Sequence, residues 1–301
     1  MRIALGLLGA LLVAATPAKS ADDPLLRPIA SEHAKQWLMP QPPTRIYGNT
    51  YLVGFGGLNV GLIKTRAGLI LIDGAVPQAV HDIEANIRTL GFRLKDVKLI
   101  LSTEPHFDHA GGLAALSRDT GATVLSSAPA AIVLRQGRSN ADDPQMAWLE
   151  PYPPVTRLRT VRDGEAIRLG GVTVTAHATP GHTPGSMSWG WRSCEGKTCR
   201  SVLFGSSLNP LTAGDYRFSD PAHAVALANF RRTIATVRRL PCDILITAHP
   251  GQSGGDVKFA KLLQSRDPNP FVDPEACRTY ADAAATALDK QIAKEKSGAP
   301  S

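Results

Sequence analysis

The sequence predicts an α/β fold, and three observations carry that prediction. Short apolar runs bounded by glycine, proline or aspartate recur along the chain, as in Leu69-Ile70-Leu71-Ile72 before Asp73-Gly74 and Ile244-Leu245-Ile246-Thr247 before Ala248-His249-Pro250-Gly251. Runs of that length with those flanks read as strands. Between them lie segments with helical spacing, such as Val80, Ile83, Ile87 and Leu90. Third, several runs lead directly into histidines or carboxylates, so that strand ends would present metal-ligand chemistry along one sheet edge.

Taken in order, the chain opens with Met1-Arg2, an apolar run from Ile3 to Ala15, and the small residues Ala18, Ser20 and Ala21. A basic start, a short apolar core and small residues predict a secretory signal over residues 1–20. The run is too short for a membrane-spanning helix. Residues 48–73 read as hairpins, with strands at Asn59–Ile63 and Leu69–Ile72. A helix over Val76–Leu90 stops at Gly91. Strand Val97–Leu101 precedes the richest motif. A helix begins at Gly112, a strand covers Ala122–Leu125, a helix covers Ala128–Gln136, and the polar, proline-rich stretch 137–154 reads as a long loop near the site. Strand Val172–Ala176 leads towards His182. Met187–Trp191 and Ser201–Phe204 flank a hairpin turn at Glu195-Gly196-Lys197-Thr198. Helical spacing returns over His223–Leu240, Val257–Leu263 and Pro274–Lys294, around strand Ile244–Thr247. The expected organisation is one domain over 21–296 and a disordered tail over 297–301.

The 301 residues, 43% of them hydrophobic, suffice for a large core. The formal charge is +7, and loss of Arg2 and Lys19 with the signal leaves 7 − 2 = +5. Basic residues are scattered, with only short pairs such as Arg231-Arg232. Without a dense basic run or interleaved aromatics, nucleic acid is not an expected partner. Four cysteines in an exported chain point to disulfides rather than metal thiolates. Cys194 and Cys199 flank the hairpin turn, and Cys242 and Cys277 would close a longer loop.

The densest chemistry is Ser102-Thr103-Glu104-Pro105-His106-Phe107-Asp108-His109-Ala110-Gly111-Gly112. A glutamate, two histidines and an aspartate fall within six residues at a strand end, and imidazole nitrogen and carboxylate oxygen are good zinc ligands. His182, in Thr179-Pro180-Gly181-His182-Thr183-Pro184-Gly185-Ser186, and His249 each follow an apolar run into a Gly/Pro turn. Asp73 is placed either to orient a ligand histidine or to cap a turn. Trp37 and Tyr152 are candidates for pocket walls or for packing. His33, His81, His177 and His223 read as structural or surface residues.

The arrangement resembles the metallo-β-lactamase superfamily, whose motif is His-x-His-x-Asp-His followed by two later histidines. From about Trp37 to Tyr280 the chain is similar to the third subclass of class B β-lactamases, on the segments Arg45–Tyr51, Leu71–Ala75, Gly111–Leu116 and Thr179–Ser186. The first motif histidine is Glu104 here; some members of that subclass carry Gln or Glu at this place. The resemblance implies a four-layer αββα sandwich. It implies two Zn²⁺ ions per chain, one on Glu104, His106 and His182 and one on Asp108, His109 and His249. Asp108 would also orient the attacking water. It implies a Cys242–Cys277 bridge, with Cys194–Cys199 as the remaining pair.

The reaction implied is hydrolysis of the β-lactam amide of penicillins, cephalosporins or carbapenems by a zinc-activated water, and with it antibiotic resistance. With the signal over residues 1–20 removed, the expected setting is the periplasm, as a monomer with no membrane contact. In Gly205-Ser206-Ser207-Leu208-Asn209, Ser207 stands where glyoxalase-like and many lactonase-like relatives carry a metal-bridging Asp. Ser207 and Asn209 would then serve substrate binding, or form a plain turn. The alternatives are a lactone or thioester hydrolase of the same fold, a non-catalytic zinc protein, and a different metal such as iron. For Glu104 itself the alternative is a hydrogen-bond acceptor beside a one-zinc site.

Overall fold

Residues 23–29 and 31–297 are described by the computed structural model, and within them the apolar runs pair into two sheets. The first sheet runs β1 (Thr44–Tyr47), β2 (Thr50–Leu52), β3 (Gly61–Thr65), β4 (Gly68–Ile72), β5 (Val97–Leu101), β6 (Thr123–Ser126) and β7 (Leu158–Thr160) in spatial order. Its first four strands are antiparallel and its last four parallel. The second sheet comprises β8 (Ala166–Leu169), β9 (Val172–Ala178), β10 (Met187–Glu195), β11 (Thr198–Gly205) and β12 (Ile244–Thr247), in the order β12-β11-β10-β9-β8. Only β11 and β12 are parallel there.

Alternation along a strand sends successive side chains to opposite faces. In β4, Leu69 and Leu71 join a core that also holds Ile83 and Ile87 of α2 (Val80–Thr89) and Leu113 and Leu116 of α4 (Leu113–Thr120). Ile70 and Ile72 point the other way, into the core between the sheets with Trp189, Phe204, Ile244 and Ile246. Leu203 and Leu245 face a third core, with Phe230 and Ile234 of α6 (Ala224–Val237) and Tyr280 and Leu288 of α8 (Ala276–Lys296). The result is the four-layer αββα arrangement. Strands buried on both faces cannot alternate polar and apolar, which is why their sequences read as continuous apolar runs. Truncating a fully buried side chain such as Ile70 to Ala costs about 2–5 kcal/mol.

The remaining helices are α1 (Ser31–Trp37), α3 (Phe107–Ala110), α5 (Ala128–Gln136) and α7 (Gly255–Gln264). The 137–154 stretch is a loop with one 3₁₀ turn at Met146–Trp148, as its composition predicts. Two expectations shift. The strand anticipated at Asn59–Ile63 is β3, two residues later, because Asn59 turns away to donate its Nδ2 to Thr247 O at 2.8 Å. The helix anticipated from Val76 starts at Val80 after a short 3₁₀ turn at Pro77–Ala79. Both disulfides are present, Cys194–Cys199 across the β10–β11 hairpin and Cys242–Cys277 between the approach to β12 and α8. The predicted signal, residues 1–20, and positions 298–301 of the predicted tail lie outside the described residues. Among the described residues no helix is long and apolar enough to cross a membrane.

Candidate metal centre

The ends of β5, β9 and β12 deliver the predicted ligands to one edge of the sandwich, and the end of β11 brings Ser207 there. β5 runs out at Leu101, and the chain passes through Ser102–Pro105 into the single turn of α3. Asp73, just past β4, ties the neighbouring strand ends together: its carboxylate accepts from Thr103 N at 2.7 Å and Thr103 Oγ1 at 2.6 Å. Asp73 is fully buried with φ at 64°, a conformation L residues rarely adopt. Burial pushes its carboxyl up to about 7, against the pull of His109 and Thr103. Gly112 is needed where α3 gives way to α4, since a Cβ there would lie 2.2 Å from Gly74 O.

The six predicted ligands fall into two groups, Glu104/His106/His182 and Asp108/His109/His249, each offering one ligand atom per residue within 4.8 Å of the others. Asp108 Oδ2 lies 3.2 Å from His109 Nε2 and 3.1 Å from His249 Nε2, and the two imidazole nitrogens are 3.2 Å apart. Glu104 Oε1 is 3.8 Å from His182 Nε2 but only 3.0 Å from His109 Nε2. It thus stands between the groups.

Partners outside the centre select which imidazole nitrogen faces inward. His182 Nδ1 donates to Asn209 O at 2.9 Å, and His249 Nδ1 contacts Gly57 O at 3.2 Å, leaving each Nε2 for the centre. His109 turns Nδ1 towards Asp73 Oδ2 at 3.7 Å. His106 differs, because its Nε2 is 2.8 Å from Asp143 Oδ2 and its Nδ1 is the nitrogen left over. Such partners fix tautomer and ring orientation.

The field of the cluster is strong. Burial pushes the Glu104 carboxyl up, but the imidazoles of His109, His182 and His106 outweigh it and hold the group well below its ordinary range. Asp108 is likewise held low against burial by His109 and His249. Burial lowers the imidazoles, yet Asp108 and Glu104 raise His109 well above its ordinary value, and Asp143 leads in raising His106. His182 ends below its ordinary value because burial dominates there.

A cleft of about 590 Å³ opens over the cluster, with Trp37, Asp108, Asn209 and His249 in its walls and Trp148 and Leu211 exposed at its rim. His33 also reaches it, its ring 5.0 Å from that of Trp37. Asn209 lies where substrate contact was expected, and its Oδ1 is buried without a hydrogen-bond partner. Ser207 is buried behind Glu104: its Oγ donates to Oε1 at 2.8 Å and its N–H to Oε2 at 2.9 Å. Tyr152 is a prop rather than a wall, its hydroxyl donating to Pro105 O at 2.7 Å. His81, His177 and His223 stay away from the cluster and the cleft.

Asp143 and Gln145 were not singled out from the sequence. Gln145 is buried with Nε2 3.2 Å from His182 Nε2. The only signal was their place in the polar 137–154 loop, where an acidic pair followed by proline looks like solvated surface.

The donor chemistry fits zinc: two imidazoles and a carboxylate form a known catalytic zinc set, and both groups supply it. Residues 53–249 match the family described as the metallo-beta-lactamase superfamily. The chain is 50% identical to a B3 metallo-beta-lactamase described as the first with an active-site glutamic acid; the alignment covers 92% of this chain and 99% of that one, with a TM-score of 0.85. It is 44% identical to the Rm3 metallo-beta-lactamase over 89% of this chain and 100% of that one, also at 0.85. Among curated proteins it is 27% identical to the acyl-coenzyme A thioesterase MBLAC2 of Gallus gallus, over 40% of this chain and 52% of that protein. The chain thus spans about half the length of that curated relative.

Proposed function

The chain belongs to the metallo-beta-lactamase superfamily, and on that premise we propose that it is a zinc-dependent hydrolase that opens the β-lactam ring of penicillins, cephalosporins or carbapenems. The observation that carries this reading is the pair of His/His/carboxylate groups under one open cleft, in a chain so similar to B3 metallo-beta-lactamases over nearly its whole length.

Glu104, His106 and His182 would hold one ion, and Asp108, His109 and His249 the other. Bound zinc supplies Lewis acidity and lowers the pKa of water from 15.7 towards ~7. The protein's own groups do the rest. Asp108, at the cleft wall, orients the attacking water by accepting its hydrogen bond. The side-chain N–H of Asn209 is the donor offered to a substrate carboxylate. Trp37, Trp148 and Leu211 give the substrate's apolar faces a surface and displace water from it. No protein nucleophile is needed: all four cysteines are in disulfides, and the Ser207 hydroxyl is engaged by Glu104. We place the mature protein in the periplasm as a monomer, with residues 1–20 removed, where its activity would protect the cell from β-lactams.

The test is hydrolysis of a chromogenic cephalosporin and a carbapenem by the mature protein, before chelation, after it, and after zinc is restored. A lactone and an acyl-coenzyme A thioester run alongside. Ring opening that vanishes on chelation and returns with zinc is expected. Thioester or lactone turnover without ring opening, at full zinc loading, would overturn the reading.

A further inference from the structure

Like Asp73, Asp143 is a buried carboxylate outside the two donor groups that no lysine or arginine pairs with among the described residues. It is 4% exposed, and its ion-pair partner is His106 Nε2 at 2.8 Å. A carboxylate buried that deeply is costly unless the group it faces needs it. The loop around it is built to hold it there. Asp143 Oδ1 accepts from Gln145 N at 2.9 Å, closing an Asx turn, and Asp143 N donates to Asn140 O at 3.0 Å. The next residue anchors the turn from the other side, with Ala213 N donating to Pro144 O at 2.8 Å.

The same loop reaches the second imidazole of that group through Gln145, whose Nε2 lies 3.2 Å from His182 Nε2. The histidines of the other group are held differently. His109 faces Asp73 beside the sheet, and His249 faces the Gly57 carbonyl. Among the described residues, the loop's hydrogen bonds to ligand side chains therefore go to one group only.

We propose that Asp143 is a positioning residue for the first metal site: it accepts the Nε2–H of His106, leaves Nδ1 as the ligating nitrogen, and ties the 140–149 loop to occupancy of that site. This role rests on the two-site reading above. Because ligand-orienting carboxylates are worth about 10–100-fold in metal affinity, losing this one weakens the first site by that factor and leaves the second unchanged. The coupling is reciprocal. Filling the first site draws His182 Nε2 away from Gln145, so backbone protection in 140–149 changes between one and two metal equivalents.

The experiment is a stepwise zinc titration against a competing chelator for wild type, Asp143→Ala and Asp143→Asn, with thermal unfolding as the check on folding. Asparagine keeps an acceptor for the Nε2–H and the turn to Gln145, so Asp143→Asn should recover most of the affinity that Asp143→Ala loses. Long-range proton–nitrogen spectra of the metal-free wild type, recorded at a pH where the ring is neutral, should show His106 as the Nε2–H tautomer. A folded Asp143→Ala protein with wild-type affinity at both sites would overturn the proposal. If Asp143→Ala does not fold, an Nδ1–H tautomer at His106 in the wild type, or a first-site loss of the full ~10–100-fold in Asp143→Asn, would do so. A wild-type protein that takes up only one equivalent would instead sink the two-site reading, and this role with it.

Discussion

The two donor groups share a wall and a residue chemistry, yet they are built to different tolerances. Asp108, His109 and His249 form a triangle with edges of 3.1–3.2 Å. A tetrahedral ion with ~2.0 Å bonds needs donors about 3.3 Å apart, so this group already has close to the spacing that such an ion requires. In the other group Glu104 Oε1 is 3.8 Å from His182 Nε2, is clasped by Ser207, and leans towards His109; His182 Nε2 meanwhile faces Gln145. The difference follows from how each group is assembled. Two members of the tight group are neighbours on the single turn of α3. The open group needs Glu104 and His182 each to leave a hydrogen-bond partner before both can close on an ion. The expectation this contrast sets up is an ordered filling: the second site first and tightly, the first site later and more weakly.

Breaking the tight group should have the largest effect. Asp108→Ala or His249→Ala should abolish second-site zinc and cut turnover by on the order of 10³-fold or more, since several kcal/mol of transition-state stabilisation would go with the ion. Metal counts with steady-state rates check this, and retained turnover would remove the site from the chemistry. Next comes Glu104→His, which exchanges an anionic, displaced ligand for the one common in the family. First-site affinity should rise towards that of the second, read in a competition titration; an unchanged stoichiometry and affinity would mean that Glu104 is only a hydrogen-bond acceptor.

Ser207→Ala removes a charge-assisted hydrogen bond to a buried carboxylate, worth about 1.5–3 kcal/mol. That loss should appear in the unfolding of metal-free protein, with second-site affinity unchanged; a fall at the second site would show that Glu104 serves both groups. The smallest effect is on pH. Burial lowers the His109 imidazole, but Asp108 and Glu104 outweigh it and hold the ring well above its ordinary 6.5, which favours its charged form in metal-free protein. Metal must displace that proton. Second-site affinity should therefore decline as pH falls, beginning above 6.5, and loading near pH 7 should release protons, measurable by calorimetry in buffers of different ionisation enthalpy. Binding with no proton release would contradict the assignment of His109.

The contrast between the groups also explains what was legible in the sequence. β4 and β12 were readable because burial on both faces makes them unbroken apolar runs. The ligands were readable because they cluster where such runs meet Gly and Pro. β7 and β8 were missed: at the edges of their sheets, Arg159, Thr160 and Arg168 are exposed, and neither run has a clean period. Asp143 was missed for a related reason. An aspartate in a polar loop carries no local mark of burial, and only the fold brings it to His106, 37 positions away. The clasp of Glu104 by Ser207 spans 103 positions and was equally invisible. Composition speaks of strands and ligand types; the tolerances of a site depend on long-range partners.

The most direct test of unequal sites is a zinc titration of metal-free protein in which bound metal and cephalosporin turnover are measured at every point, for wild type and Glu104→Ala. The expected wild-type result is two resolved equivalents, tight then weak, with turnover reaching its plateau only as the second equivalent binds; Glu104→Ala should stop at one. Full turnover after a single equivalent, with the same curve for Glu104→Ala, would contradict it.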